Sequence, residues 1–171
     1  MTKEEFWSKQ YKSHIGKMVG VCYRYVGDWQ VAEDLAQDAF LKAMEKGSTY
    51  HGWGSFEGWL KKIAVNEALM YLRSQPETMA LDEGMAVEEP MADDPQDVKV
   101  DFSQEELLEF IRNLPVKQRT VFNLYAVEHW SHKQIAKKLG ISVTNSKVLL
   151  SRARTELQGM LTAMRVKKLR N

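Results

Sequence analysis

Residues 131–154 read SHKQIAKKLGISVTNSKVLLSRAR, and this stretch decides the fold of the C-terminal part of the chain. Two short apolar-periodic runs are separated by Leu139-Gly140-Ile141-Ser142, where glycine supplies the left-handed backbone that often ends a helix. Ser131 and Gln134 have the spacing of a capping box, which predicts where the first helix begins. The stretch contains six lysines and arginines and no acidic residue. It therefore predicts two helices, a tight turn between them and a positively charged surface.

The second helix, expected from about Thr144, has two distinct faces. Its inner face would pack in the core through Ser146, Leu150, Ala153, Leu157, Met160, Leu161 and Met164. Its outer face is polar and basic, which is the pattern of a helix-turn-helix that enters the major groove of duplex DNA. The side chains expected at base edges are Thr144, Asn145, Lys147, Val148 and Ser151, with Val148 against a thymine methyl group. Those expected at phosphates are Lys133, Lys137, Lys138, Arg152 and Arg154.

Charge is distributed unevenly along the 171 residues, although the formal net charge is only +1. Residues 1–74 are nearly neutral. Residues 75–106 carry 11 Asp and Glu against one Lys, and residues 107–171 carry 13 Lys and Arg against three Glu. A basic region of this size favours a polyanionic partner. For any single lysine, an ordinary solvated position is an equally good interpretation.

Apolar residues also recur at helical spacing in the first part of the chain, and no segment alternates as a strand would. A capping box over residues 2–5 starts the first expected helix, which would bury the stripe Trp7, Tyr11, Ile15, Met18 and Cys22. A second helix carries a stripe from Ala32 to Ala43, and a third runs from about Phe56 to Arg73. The expected fold class is all-α.

Residues 75–102 lack periodicity and hold Pro76, Pro90 and Pro95 together with the acidic excess, which predicts a flexible linker. A capping box from Ser103 to Glu106 starts the next helix, and Pro115 suits the first turn of the one after it. The predicted organisation is two small helical domains, 1–74 and 103–171, joined by the acidic linker 75–102.

Several classes of protein are disfavoured by the composition. No uninterrupted apolar run of about 18 residues exists, and the first residues have no signal-peptide core, so we expect no membrane insertion. One cysteine, Cys22, fits a cytoplasmic protein. His129 and His132 are too few to hold a structural metal. No phosphate-binding glycine loop or nucleophile motif is present, so we expect no enzyme activity, cofactor or small-molecule substrate.

Two sequence blocks resemble a known family. The segments Asp28–Met44 and Gly54–Arg73 resemble region 2 of the sigma-70 family, and Leu114–Phe122 together with residues 131–154 resembles region 4. Two such regions joined by a short linker resemble the extracytoplasmic-function group of RNA polymerase sigma factors. The chain departs from the family pattern at Met70, where an aspartate is common, and in the recognition helix at Ser146 and Leu149.

The resemblance implies a role for each surface. Core RNA polymerase would be bound through its β′ clamp helices by Asp34, Gln37 and Asp38, and through its β flap. The separated strand of the minus-ten element would be held by Trp59, Lys62, Asn66 and Arg73, with the loop Tyr50–Ser55. The minus-thirty-five duplex would be read by the helix-turn-helix. The linker would pass through the RNA path of the polymerase, and an anti-sigma protein would mask the binding surfaces.

Other interpretations stay open for the sequence alone. Trp59 has about equal standing as a core aromatic residue, and the polar face of the second helix could be an ordinary solvated one. The chain could also be a stand-alone helix-turn-helix repressor whose first domain dimerises or senses a ligand. A third possibility is a first domain that only recruits polymerase.

Overall fold

A computed structural model describes residues 2–47, 54–75 and 103–170. These residues form seven α-helices and one π-helical turn, with no β-strand among them, which confirms the all-α fold class. The chain divides into two compact units, residues 1–78 and residues 79–171. Apart from Gln75, which caps a helix, the predicted linker lies outside the described residues, and its boundaries stay a prediction.

The first unit contains three helices, α1 (Lys3–Val26), α2 (Trp29–Glu45) and α3 (Phe56–Ser74). Each begins at a side chain that satisfies a free amide of the first turn. The capping box predicted at α1 is confirmed, because the Thr2 hydroxyl accepts from the Glu5 amide and the Glu5 carboxylate accepts from the Thr2 amide, both at 3.1 Å. Asp28 caps α2 and Ser55 caps α3 in the same way. α1 ends at Gly27, whose φ of 71° is left-handed.

The three helices pack on one another in every pairing, around a face of α2 made of small residues. Short side chains on this face let α1 and α3 approach α2 closely. The fully buried alanines of α2 are Ala32, Ala36, Ala39 and Ala43. The stripe predicted for this helix is therefore confirmed.

The stripe predicted for α1 is correct at its ends and wrong in its middle. Trp7, Met18 and Cys22 are buried, but Tyr11 is 38% exposed and Ile15 is half-buried. The Tyr11 ring covers the edge of the Phe40 ring, with 5.1 Å between centroids, instead of inserting between helices. A tyrosine in that position packs its ring while its hydroxyl stays in water.

One ion pair crosses the interior of this unit, between Lys42 of α2 and Glu67 of α3. Glu67 is only 6% exposed, so the positive charge of Lys42 offsets the cost of burying its carboxylate. Burial, and next the charge of Glu67, raises the pKa of the neighbouring Cys22 thiol to about 12, which keeps it neutral. The Cys22 thiol donates to the carbonyl oxygen of Ala64 (3.7 Å).

The second unit begins with α4 (Gln104–Arg112), where half of the predicted capping box forms. The Ser103 hydroxyl accepts from the Glu106 amide at 3.2 Å. The Glu106 carboxylate accepts from the Ser103 hydroxyl at 3.3 Å and also pairs with Lys168, whose Nζ lies 3.0 and 3.1 Å from its two oxygens. This ion pair joins the start of the unit to its last helix.

The next helix, α5 (Val116–Phe122), starts one position later than predicted, since Pro115 is its N-cap. It continues into a π-helical turn, Asn123–Val127, which no sequence pattern indicated. The turn closes with the Trp130 amide donating to the Leu124 carbonyl at 2.9 Å. His129 beside it has a left-handed φ of 60°, which is uncommon for a residue other than glycine.

The helix-turn-helix is formed by α6 (His132–Leu139) and α7 (Val143–Arg170). The capping box of Ser131 and Gln134 is confirmed. Gly140 has a φ of 69°, and the amides of Gly140 and Ile141 both donate to the Ala136 carbonyl. α7 begins one residue before the predicted start, and the Ser142 hydroxyl accepts from the Asn145 amide at 2.9 Å.

The core of the second unit lies where α7 packs against α5 and α6. Ser146, Leu150 and Ala153 are buried, as predicted, while the later members of that stripe are half-buried. Val148 and Leu149 are also buried, so the inner face of α7 is wider than one stripe. In the described part of the chain, no helix is long and apolar enough to span a membrane.

We expect Lys42→Met to lower the free energy of unfolding by about 1–3 kcal/mol, because it leaves the Glu67 carboxylate buried without a cation. The double variant Lys42→Met/Glu67→Met should recover most of that loss, since no charge is then buried. Urea unfolding measures both values.

The matched control is Lys17→Met, which breaks an exposed pair with Glu57 (2.8 Å). We expect it to change the free energy of unfolding by less than about 0.5 kcal/mol. Equal losses for Lys42→Met and Lys17→Met would contradict a stabilising role for the buried pair.

Candidate nucleic-acid interface

The outer face of the helix-turn-helix contains most of the residues predicted to meet duplex DNA. Lys133 on α6 and Thr144 and Lys147 on α7 are exposed. The remaining accessible members on α7 are half-buried: Asn145, Ser151, Arg152 and Arg154. Cations and polar groups on the first turns of α7 have the chemistry needed for base edges and phosphates in a major groove.

Val148 does not belong to this face, and the prediction that it contacts a thymine methyl is wrong for this structure. Its side chain is 5% exposed. The reason is that α7 is packed against two helices, α5 and α6, so neighbouring positions on both sides of the central stripe are buried. Leu149 is buried for the same reason, at 9% exposed.

A cluster behind the outer face joins three elements around His132. The Nδ1 atom of His132, at the start of α6, lies 2.9 Å from the hydroxyl of Ser146 on α7. The imidazole stacks on the Tyr125 ring of the π-helical turn, with 4.6 Å between centroids and 21° between planes. The Arg154 guanidinium lies over that same ring, 5.6 Å from its centroid.

This cluster was missed because its members are far apart in sequence and belong to no single motif. The π-helical turn places Tyr125 beside α6, and no periodicity signals such a turn. The cation–π contact also gives Arg154 a fixed orientation that its sequence position did not reveal.

On α3, the four residues predicted to hold the separated strand, together with Met70, form a stripe that lies outside the buried face. Lys62, Met70 and Arg73 are exposed, and Trp59 and Asn66 are half-buried. The opposite face is packed in the core, through residues that include Leu60, Ala64, Ala68 and Leu72. The stripe therefore combines an aromatic ring, an amide and two cations on one accessible surface, the combination that unstacked bases require.

Trp59 is neither a core residue nor a free one. Its ring lies 5.5 Å from the Phe56 ring, which in turn contacts Trp7 at 5.9 Å. Packing on one side holds the indole in place while part of it stays accessible. The Asn66 amide donates to the Met70 sulfur at 3.5 Å. In the loop predicted to join this surface, residues 50–53 lie outside the described residues.

The third candidate surface is the outer side of α2. Asp34, Gln37 and Asp38 are all exposed there. Between them in angle around the helix lies Leu41, which is 59% exposed. Leu41 was not among the residues predicted for this surface, although a leucine amid polar residues at helical spacing was a usable signal. An exposed apolar side chain surrounded by polar ones is typical of a protein-binding surface.

Comparison with known proteins identifies the family. The model of sigma-70 region 2 matches residues 10–77, and the model of sigma-70 region 4 matches residues 104–157. The ECF RNA polymerase sigma factor SigW of Bacillus subtilis is 30% identical over 155 residues, covering 85% of this chain and 83% of SigW. The chain belongs to the sigma-70 family, in its extracytoplasmic-function (ECF) group.

Other relatives of this chain are longer. The ECF sigma factor SigG of Mycobacterium tuberculosis is 30% identical over 166 residues, which cover 83% of this chain but 45% of SigG. The chain thus spans less than half the length of that relative. A solved structure of the sigma factor RpoE with the anti-sigma factor NepR, from Bartonella quintana, covers 92% of this chain and 98% of its own, with a TM-score of 0.54 and 22% identity. That likeness supports the fold.

Truncation of the neighbouring residues Lys147 and Val148 should change the free energy of unfolding by different amounts. We expect Val148→Ala to lower the free energy of unfolding by about 1–3 kcal/mol, because it opens a cavity in the core. Lys147→Ala should change it by less than about 0.5 kcal/mol, because that side chain is exposed. Urea unfolding of both variants measures the difference. A stability loss at Lys147 and none at Val148 would mean that α7 is rotated relative to this structure.

Proposed function

We propose that this chain directs RNA polymerase to promoters as an initiation factor: it binds the core enzyme, holds a separated promoter strand and reads an upstream duplex. The observation that carries the proposal is the presence of regions 2 and 4, in that order, in one chain whose contact residues lie mostly at the surface. A stand-alone repressor would not require region 2.

Region 4 would bind the minus-thirty-five duplex through the first turns of α7. Thr144, Asn145, Lys147 and Ser151 would face base edges, and the phosphates would be contacted by Lys133, Lys137, Lys138, Arg152 and Arg154. Support comes from the position of these residues outside the core and from the basic charge of residues 107–171. Phosphate contacts of this kind make binding strongly dependent on salt.

Region 2 would hold the separated minus-ten strand on α3. Trp59 would stack against a base, Lys62 and Arg73 would contact the backbone, and Asn66 would bond to a base edge. Separating the strands costs stacking energy, and capture of an unstacked base offsets part of that cost. The accessible stripe on α3, with Trp59 braced against Phe56, supports this role.

The outer side of α2 would dock on the β′ clamp helices of core polymerase. Leu41 would enter an apolar pocket as the central anchor, and Asp34, Gln37 and Asp38 would form polar contacts around it. A buried anchor ringed by polar contacts is the arrangement from which most binding energy comes in protein interfaces. A further contact, between the chain and the β flap, is part of the same proposal.

The chain would contribute binding and positioning, while polymerase carries out catalysis in the cytoplasm. No cofactor or small-molecule substrate enters this scheme. An anti-sigma protein that covers the same surfaces is a further proposed partner, suggested by the RpoE–NepR complex of similar fold.

The test is gel filtration of the chain with sigma-free bacterial core polymerase, at moderate salt and without DNA. We expect co-elution at one chain per core, reversed by a competing sigma factor. Leu41→Asp should weaken core binding at least about tenfold, because it places a charge in the apolar centre of the interface.

Leu169→Asp provides the matched control, since Leu169 is 79% exposed but lies at the far end of α7 in the other unit. It should leave core binding within about twofold of the wild type. Failure of the wild-type chain to co-elute, combined with a stable dimer that binds duplex DNA alone, would support the repressor instead.

A further inference from the structure

His132 lies where α6 contacts both α7 and the π-helical turn, and two cationic side chains act on its ring. Through Ser146 it contacts α7, and through Tyr125 it contacts the π-helical turn. Ser146 is fully buried, so the hydrogen bond reaches the inner side of the recognition helix. Arg154 also lies over the Tyr125 ring, 5.6 Å from its centroid.

The titratable and charged groups that face the imidazole come from two elements. The π-helical turn contributes the Tyr125 phenol, and α7 contributes Lys147 and Arg154. Burial, and next the positive charges of Lys147 and Arg154, hold the pKa of His132 below its ordinary value. In the free chain the ring is therefore mainly neutral at physiological pH.

We propose that His132 is a positioning residue for duplex binding and that it takes up a proton from the solvent when DNA phosphates reach Lys147 and Arg154. The inference rests on the proposed role of α7 in reading a duplex. His132 would touch no base and yet would make the affinity for DNA depend on pH.

DNA phosphates would act on His132 through the two cations. Burial is the larger reason that imidazolium is disfavoured, and the positive charges of Lys147 and Arg154 come next. Phosphates beside Lys147 and Arg154 would offset this second contribution and so raise the pKa of the ring. The protonated ring keeps its contact with Ser146, because Nδ1–H then donates to the hydroxyl oxygen. The imidazolium also gains a favourable interaction with the Tyr125 ring on which it stacks.

The sign of the pH dependence follows from linkage. If the pKa of His132 is higher in the complex than in the free chain, the affinity for duplex rises as pH falls through the bound pKa and levels off below the free pKa. Folding has the opposite sign: because the folded pKa lies below the unfolded one, the contribution of His132 to stability is lost as pH falls below about 6.5. A merely structural histidine would show only the second effect.

The experiment uses the full chain and a short duplex enriched for binding from a random-sequence pool. Dissociation constants are measured from about pH 5.5 to pH 8 at constant ionic strength, because salt alone changes the affinity. We expect the wild type to gain about three- to tenfold in affinity toward low pH, which corresponds to a rise in pKa of about half a unit to one unit. His132→Gln should lack this gain.

His129→Asn is the matched control: it removes a nearby exposed histidine and tolerates the left-handed backbone at that position. It should keep the pH dependence of the wild type. An NMR titration of the His132 ring in the wild type, with and without duplex, gives the answer even if His132→Gln folds poorly. The expected result is a higher pKa in the complex.

A His132 pKa that stays the same or falls on binding would overturn the inference and leave region 4 as a duplex-binding unit. Equal pH dependence in the wild type and in folded His132→Gln would do the same. Absence of any duplex binding by the wild type, at every pH, would overturn the proposed role of α7 and this inference with it.

Discussion

The left-handed backbone at Gly140 sets the angle between α6 and α7, and the proposed duplex-binding surface depends on that angle. Two amides donate to the Ala136 carbonyl at this turn, and they stop α6 while the chain reverses direction. Because the turn is tight, the first residues of α7 emerge beside α6 with their polar side outward. Ser142 then satisfies a free amide of the new helix. The basic surface is thus a consequence of backbone geometry at one glycine and the hydrogen bonds around it.

In the first unit, the equivalent constraint is the alanine face of α2. Close packing on that face leaves α2 with one side for the core and one for a partner. The Lys42–Glu67 pair crosses between α2 and α3, so the helix that carries the proposed polymerase contacts is tied to the helix that carries the strand-binding stripe. Under the proposed function, one compact unit would bind a polymerase and a DNA strand on different faces.

Local signals in the sequence predicted much of this architecture. Capping residues such as Thr2 and Ser131 were correct because an N-cap depends only on residues within one turn. Gly140 was correct for a similar reason. The polar stripe on α3 and the exposed acidic side of α2 followed from helical periodicity, which needs only one helix to be known.

The errors occurred where tertiary contacts decide the outcome. Val148 was assigned to the duplex because a helical wheel cannot show that α7 packs against two helices at once. No sequence pattern predicted the π-helical turn. The cluster of Tyr125, His132 and Ser146 could not be predicted either, because its residues come from three elements. Tyr11 was expected in the core but covers an edge of Phe40. Periodicity predicts which side of a helix is apolar, and packing determines how much of it is covered.

Under the proposed function, one chain brings polymerase, a separated strand and an upstream duplex together. The most direct measurement is transcription by sigma-free core polymerase from a pool of random-sequence duplexes, with and without the chain, followed by sequencing of RNA 5′ ends. We expect new start sites that share two upstream sequence elements at a fixed spacing. An unchanged set of 5′ ends, with the chain folded and bound to core, would contradict it.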